Sequence, residues 1–278
     1  MPTRLISFAG STIAIAYEGA RPEYIVNFLT RDIVPALEEA DPHITFQVAV
    51  DDRNQLCLFQ AEQPSYEADS DAKIAQALLG NSGFQLADRS RGGLLFHAGG
   101  VAWHDCGILL PGMMGAGKTT LTAWLLTKGF HYLTDELVFF PQGGLTLQGF
   151  NRPLNIKSPS RPVLETIVDF QADPRLLSTT ATTLVPAELF NPNTTYSQPV
   201  LHLIIFPMYQ ADSQFKCQRL TPAQTGLGLM QCLINARNLP EHGFPEISRL
   251  AQSVPAYKMT YAGFSQVGNQ VEMLLKPG

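Results

Sequence analysis

The stretch GILLPGMMGAGKT, residues 107–119, decides the reading of this sequence. The run from Gly107 to Pro111 has the length and apolar character of a buried strand. Behind it, TTLTAWLLTK (119–128) places Leu121, Trp124 and Leu125 on one face at helical spacing, and Lys128-Gly129 supplies a cationic last turn and a stop. Between strand and helix, Gly112, Met113, Met114, Gly115, Ala116, Gly117, Lys118 and Thr119 complete the pattern GxxxxGK[ST]. Strand, glycine-rich turn and helix are needed together, because consecutive backbone N–H groups must point at phosphate oxygens while the helix N-terminus adds partial positive charge. The expectation is a P-loop for ATP and Mg²⁺. In it Lys118 reaches the β- and γ-phosphates, the Thr119 hydroxyl takes one position on Mg²⁺, and Thr120 belongs to the same nucleotide-binding set.

Mg²⁺ prefers oxygen ligands and usually takes a carboxylate from the protein, so an acid at a neighbouring strand end is the next feature to find. Gly129 ends the helix, and FHYLT (130–134) is long enough only to run back across the sheet to Asp135-Glu136. The two acids are therefore expected at the same sheet edge as Lys118. One carboxylate on the metal and one accepting a hydroxyl proton is a common division in phosphoryl transfer. Asp135 is the candidate base and Glu136 the candidate metal ligand.

On the upstream side, LLFHAGGVAWHDCGILLPG (94–112) reads as two strands reversing at His104-Asp105-Cys106-Gly107, so the phosphate loop follows a hairpin. At this point the residues resemble a known family. From Leu94 to Val138 the order of parts is similar to the catalytic core of HPr kinase/phosphorylase and the HprK-related kinases, which share a fold with ATP-dependent phosphoenolpyruvate carboxykinase. A His-bearing strand, Phe96-His97-Ala98-Gly99-Gly100-Val101, precedes the hairpin, the phosphate loop and its helix, and Asp135-Glu136 stand at the place of the paired acids. The resemblance implies an ATP-dependent kinase acting on a serine of a small protein or peptide. Lys118 and Thr119 would bind nucleotide and metal, Asp135 would act as base, Glu136 would help hold Mg²⁺, and His97 would lie beside the reacting phosphate. The second acid departs from the family's more usual Asp, although the longer side chain still reaches a metal. Arg152 and Lys157, in NRPLNIK (151–157), fall where the family carries a basic segment, and Arg152 is the candidate for neutralising γ-phosphate charge. The bifunctional enzyme's signature is not recognisable there, so phosphorylase activity is not expected. The same cradle serves other chemistries, which keeps a non-catalytic nucleotide-binding regulator and a small-molecule kinase as alternatives.

The rest of the chain frames that core. Its 278 residues suffice for one nucleotide-binding domain with flanking elements. Residues 1–85 read as a small α+β module, with ITFQVAV (44–50) and QLCLFQ (55–60) as strands and IVNFLTRDIVPAL (25–37) as a helix. AEQPSYEADSD (61–71) reads as a polar link, and IAQALLGNSGFQ (74–85) as a short helix closed by Gly or Asn. Residues 86–278 form the HPr kinase-like P-loop domain with a C-terminal α/β extension. That extension has strands at LHLIIFP (201–207) and AYKMTYA (256–262), and helices near 225–239, 245–254 and 265–276. Residues 158–198, rich in Ser, Thr and Pro, are expected to be a mobile stretch in which Ser158, Ser160 and Arg161 could meet a substrate. Nineteen Lys and Arg against 24 Asp and Glu give a net charge of −5, which disfavours a nucleic-acid partner. The four cysteines lack metal-ligand spacing, and no run reaches the ~20 apolar residues of a membrane span. A cytoplasmic location without membrane attachment is the expectation. Oligomeric state is open, a homo-oligomer included.

Overall fold

The computed structural model describes residues 1–34, 36, 40–193 and 198–275. In chain order the first elements are β1 (Thr3–Phe8), β2 (Ser11–Tyr17), α1 (Ala20–Thr30), β3 (Thr45–Val50), β4 (Leu56–Gln60), β5 (Gln63–Ala68) and α2 (Asp71–Asp88). Around the phosphate loop follow β6 (Gly93–Trp103), β7 (Cys106–Pro111), α3 (Lys118–Leu126), β8 (His131–Thr134), β9 (Leu137–Pro141) and β10 (Gln148–Gly149). Next come β11 (Leu154–Lys157), α4 (Arg161–Leu164), β12 (Leu177–Ser178) and β13 (Thr182–Val185). The chain closes with β14 (Val200–Tyr209), β15 (Lys216–Arg219), α5 (Pro222–Cys232), α6 (Phe244–Ser253), β16 (Ala256–Tyr261) and α7 (Val267–Leu275). The protein is a mixed α/β structure, and among the described residues no helix is long and apolar enough to cross a membrane.

The chain divides into two compact units. One gathers residues 1–91, 151–161 and 169–186, and holds a five-stranded sheet in the order β1-β2-β3-β4-β5. Parallel pairing of β2 with β3 requires a crossover, which α1 supplies. The helix spans 20–30, so the residues expected to extend it lie past its end, and of these Pro35 and Leu37 fall outside the described residues. Two expectations are corrected here. Residues 63–68 are not a link but the edge strand β5, antiparallel to β4; a strand paired on one side only can keep the polar, exposed sequence that resembled a loop. The helix does not close at Gly80, Asn81 or Gly83 but runs to Asp88, because Ala72, Ile74, Ala75, Leu78, Leu79, Ser82 and Leu86 make a continuous buried face that outweighs two glycines.

A third correction concerns residues 158–193. Part of this stretch forms β12 and β13, which join β11 in a three-stranded antiparallel sheet. Ser158 donates to the Thr180 carbonyl at 2.5 Å, and the Arg161 guanidinium donates to the Thr179 carbonyl at 2.8 Å, so both side chains fasten this sheet's turn. β12 and β13 are two and four residues long, too short for periodicity to register. Residues 194–197 of the expected mobile stretch lie outside the described residues.

The other unit, residues 92–150, 162–168 and 187–278, contains the glycine-rich loop 112–119. Its eight-stranded sheet has the order β10-β9-β6-β7-β14-β16-β15, with β8 also paired to β6. β7, β14 and β16 are mutually parallel, and β6 is antiparallel to β7 through a two-residue turn at His104-Asp105. Helices cover both faces. Leu94, Phe96 and Ala98 of β6 pack with Leu109, Ile204 and Ala256 beneath Leu229, Ile247 and Leu250 of α5 and α6. On the opposite face α3 lies so close to β6 that a Cβ on Gly99 would stand 2.7 Å from the Thr122 hydroxyl.

Gly149 sets a second close approach. A Cβ there would run into the backbone carbonyl of Leu133, two residues before the acids. We therefore expect Gly149→Ala to lower unfolding stability by about 1–3 kcal/mol in a denaturant titration, the range of overpacking in a dense interior. An unchanged midpoint would show that β8 gives way without cost.

Candidate functional site

Two strands pair with β6 in the same sense on the same side. Gly100 to Ala102 face β8, and Gly93 to His97 face β9, both antiparallel. β8 and β9 are thus one ribbon interrupted at Asp135-Glu136, opposite Ala98-Gly99. The interruption is held locally: the Thr134 hydroxyl oxygen, fully buried, accepts from the Glu136 N–H at 3.1 Å and the Leu137 N–H at 3.3 Å. The Ala98 N–H donates to the Glu136 carbonyl at 3.0 Å, and on its other edge Ala98 is the register partner of Pro111, the last strand residue before the loop. Pro111, Ala98 and Glu136 therefore stand in line across neighbouring strands, about 10 Å from end to end at two strand spacings.

The acids differ in environment. Asp135 is 1% exposed and accepts from the Tyr132 hydroxyl at 3.3 Å. The Glu136 side chain is 40% exposed, and its Oε1 lies 3.1 Å from Nδ1 of His97. His97 shares the α3-facing side of β6 with Gly99, two residues on, which aims its ring at the loop's side of the sheet. This pairing of His97 with Glu136 was outside the reach of sequence reasoning, which had no register for the β6 ribbon.

The loop itself leaves the end of β7. Gly115 and Gly117 take φ of +86° and +94°, the left-handed region that glycine enters without strain. Gly117 caps α3, and the Lys118 ammonium turns back to donate to the carbonyls of Gly112 at 2.6 Å and Met113 at 3.3 Å. Met113 and Met114 are exposed at the crest, while Thr119 and Thr120 are half-buried in the first turn of α3. Beneath the loop sits Cys232 at the end of α5. Burial raises its thiol pKa, and the Lys118 charge and the Gly112 backbone amide partly offset the rise. On the side away from the acids, the Tyr209 N–H donates to the Ala116 carbonyl at 3.1 Å, tying the loop to the end of β14. Next to it stands Tyr261, the last residue of β16. These contacts were not foreseen, since Tyr209 and Tyr261 are signalled only by lying at the C-terminal ends of strands parallel to β7.

His97, Asp135, Glu136 and residues 112–120 thus belong to one unit. Arg152 belongs to the other, where it is 7% exposed, and its assignment rests on sequence order. His131 has its Nδ1 3.1 Å from the Asn193 carbonyl. Among the described residues no group of three or more His, Cys, Asp or Glu could enclose a metal. A hydroxyl and a carboxylate, the donor types of Thr119 and of Asp135 or Glu136, suit Mg²⁺ in kind, since it keeps its waters and takes one or two protein oxygens alongside phosphates.

No family model and no curated protein matches the chain. Among solved structures it is similar to the Hpr(Ser) kinase/phosphatase from Coxiella burnetii, with a TM-score of 0.33 and 13% identity over 65% of this chain and 93% of that one. The likeness is weak in both sequence and superposition.

Burial, with Tyr209 beside it, pushes the Tyr261 phenol well above its ordinary value. The unfolded phenol ionises near pH ~10, so the stability tied to the neutral folded form is complete below that pH and lost as pH rises beyond it. Relative to Tyr261→Phe, wild-type unfolding free energy should fall above pH ~10 with a slope of up to ~1.4 kcal/mol per pH unit, measured by denaturant titration. Parallel curves would mean that the phenol ionises freely in the folded protein.

Proposed function

We propose that the chain is an ATP-dependent phosphotransferase of the HPr kinase type, moving the γ-phosphoryl group to a hydroxyl, with a serine of a protein or peptide as acceptor. The observation that carries this reading is the alignment of Pro111, Ala98 and Glu136 across adjacent strands, which sets a phosphate loop and two carboxylates at one edge of one sheet. A loop that holds a triphosphate needs carboxylate at its terminal phosphate, both to share a metal and to take a proton. The serine acceptor is drawn from the motif order between Leu94 and Val138.

In this mechanism Lys118 exchanges its bonds to the Gly112 and Met113 carbonyls for phosphate oxygens, while the loop amides and the α3 N-terminus hold the rest. Mg²⁺, when bound, neutralises phosphate charge, and Thr119 and Glu136 are the residues that would hold it. Asp135 takes the proton of the acceptor hydroxyl as its oxygen bonds to phosphorus. The bond from phosphorus to the β–γ bridging oxygen breaks, and ADP leaves with that electron pair. His97 orients Glu136 through their 3.1 Å contact. Exposure favours a second assignment of the acids. Glu136, half-exposed and paired with His97, meets an incoming hydroxyl more readily than the buried Asp135, which would then serve the metal.

The test is transfer from γ-labelled ATP and Mg²⁺ to a panel of serine-bearing peptides, proteins and small hydroxyl compounds. Lys118→Ala should weaken Mg-ATP binding at least about tenfold by calorimetry while cooperative unfolding is retained, because the sheet and its helices do not depend on this ammonium. The base variant, Asp135→Asn or Glu136→Gln, should keep nucleotide affinity and lose roughly 10²–10⁴ in turnover, while the metal variant loses Mg²⁺ affinity as well. Tight nucleotide binding with no label leaving ATP for any acceptor would make the chain a nucleotide-binding regulator.

A further inference from the structure

The acids occupy one flank of the phosphate loop; the other flank carries an unused donor. Tyr261 is 1% exposed, and its hydroxyl, buried with the ring, finds no hydrogen-bond partner among the described residues. It lies against Gly117: a Cβ at that position would come within 2.7 Å of the Tyr261 oxygen and 3.1 Å of the Tyr209 Cβ. Gly117 is the left-handed cap of α3, a nine-residue helix whose first N–H groups, from Lys118 onward, have no acceptor within the helix and so favour an anion. The hydroxyl is therefore seated where an anion at this helix end would sit.

The aromatic cluster around it fixes the ring. Tyr261 meets Tyr209 edge-on at 6.0 Å between centroids and Phe264 at 5.4 Å, and Phe264 stacks on Trp124 of α3 at 5.0 Å. α7 seals the cluster: a Cβ on Gly268 would stand 2.7 Å from Trp124. The phenol is held neutral by burial, so it keeps a proton to donate. Tyr209, 51% exposed, packs edge-on against the Tyr261 ring and brings its Cβ alongside Gly117.

We infer that the Tyr261 hydroxyl is a phosphate-binding donor of the nucleotide site, hydrogen-bonding a non-transferred phosphate oxygen at the Gly117 end of the loop. This deepens the phosphotransferase reading and rests on it. The γ-phosphate must face Asp135 and Glu136, so the remaining phosphates lie toward the flank formed by β14 and β16, where this hydroxyl waits. Its part is binding, with no share in the proton transfer.

The experiment compares wild type, Tyr261→Phe and Lys118→Ala for calorimetric affinity toward Mg-ATP and Mg-tripolyphosphate, with the melting temperature of each free protein. Removing a hydrogen bond to a charged group should weaken Tyr261→Phe for both ligands by roughly 10- to 100-fold, with a melting temperature equal to or above wild type because no partner is orphaned. Four results overturn the inference. An unchanged affinity with a lowered melting temperature makes the hydroxyl structural. A loss confined to ATP moves it to the ribose or base. Absence of Mg-ATP binding by wild type removes the site altogether and the phosphotransferase reading with it, whereas a wild type that binds, a Lys118→Ala that does not, and a Tyr261→Phe that matches wild type remove this inference alone.

Discussion

Everything at the candidate site depends on strand β6 being paired on both edges. One edge carries β7 and so fixes where the glycine-rich loop begins; the other carries the β8–β9 ribbon and so fixes where the acids stand. Ala98 is the shared residue, in register with Pro111 and bonded to the Glu136 carbonyl. A slip of one residue in either ladder would turn His97 to the other face and break its contact with Glu136. Two glycines protect the register, Gly99 by admitting α3 and Gly149 by admitting Leu133.

The two flanks of the loop then divide the chemistry. Toward β6 lie the groups proposed to handle protons and metal, Asp135, Glu136 and His97. Toward β14 and β16 lies an aromatic wall, anchored by the Tyr209 N–H on the Ala116 carbonyl and carrying the Tyr261 hydroxyl at Gly117. Lys118 spans the middle, its ammonium held by the carbonyls of Gly112 and Met113.

The parts legible in the sequence are those encoded locally. Residues 112–119 write a backbone conformation directly, through glycines that must take positive φ and a lysine at fixed spacing, and the short run 130–134 leaves the chain one way to return to the sheet. The expected helix after the loop and the strands at β14 and β16 follow from apolar runs long enough to have a period. What escaped was set by partners distant in sequence. β5 is polar because it is an edge, and β12 and β13 are each too short to carry a pattern. The His97–Glu136 contact needs the register of β6, and the Tyr261 hydroxyl reaches Gly117 from 144 positions away, a proximity no spacing rule contains.

The central claim is that the phosphate loop and the Asp135-Glu136 ribbon act on one ligand. The most direct measurement is a crystal structure with Mg²⁺ and a non-hydrolysable ATP analogue. The account predicts Lys118 released from the Gly112 carbonyl onto the terminal phosphate, with a carboxylate of Asp135 or Glu136 within coordination distance of the metal. A terminal phosphate pointing away from β6, with both carboxylates out of reach of the metal, would contradict it.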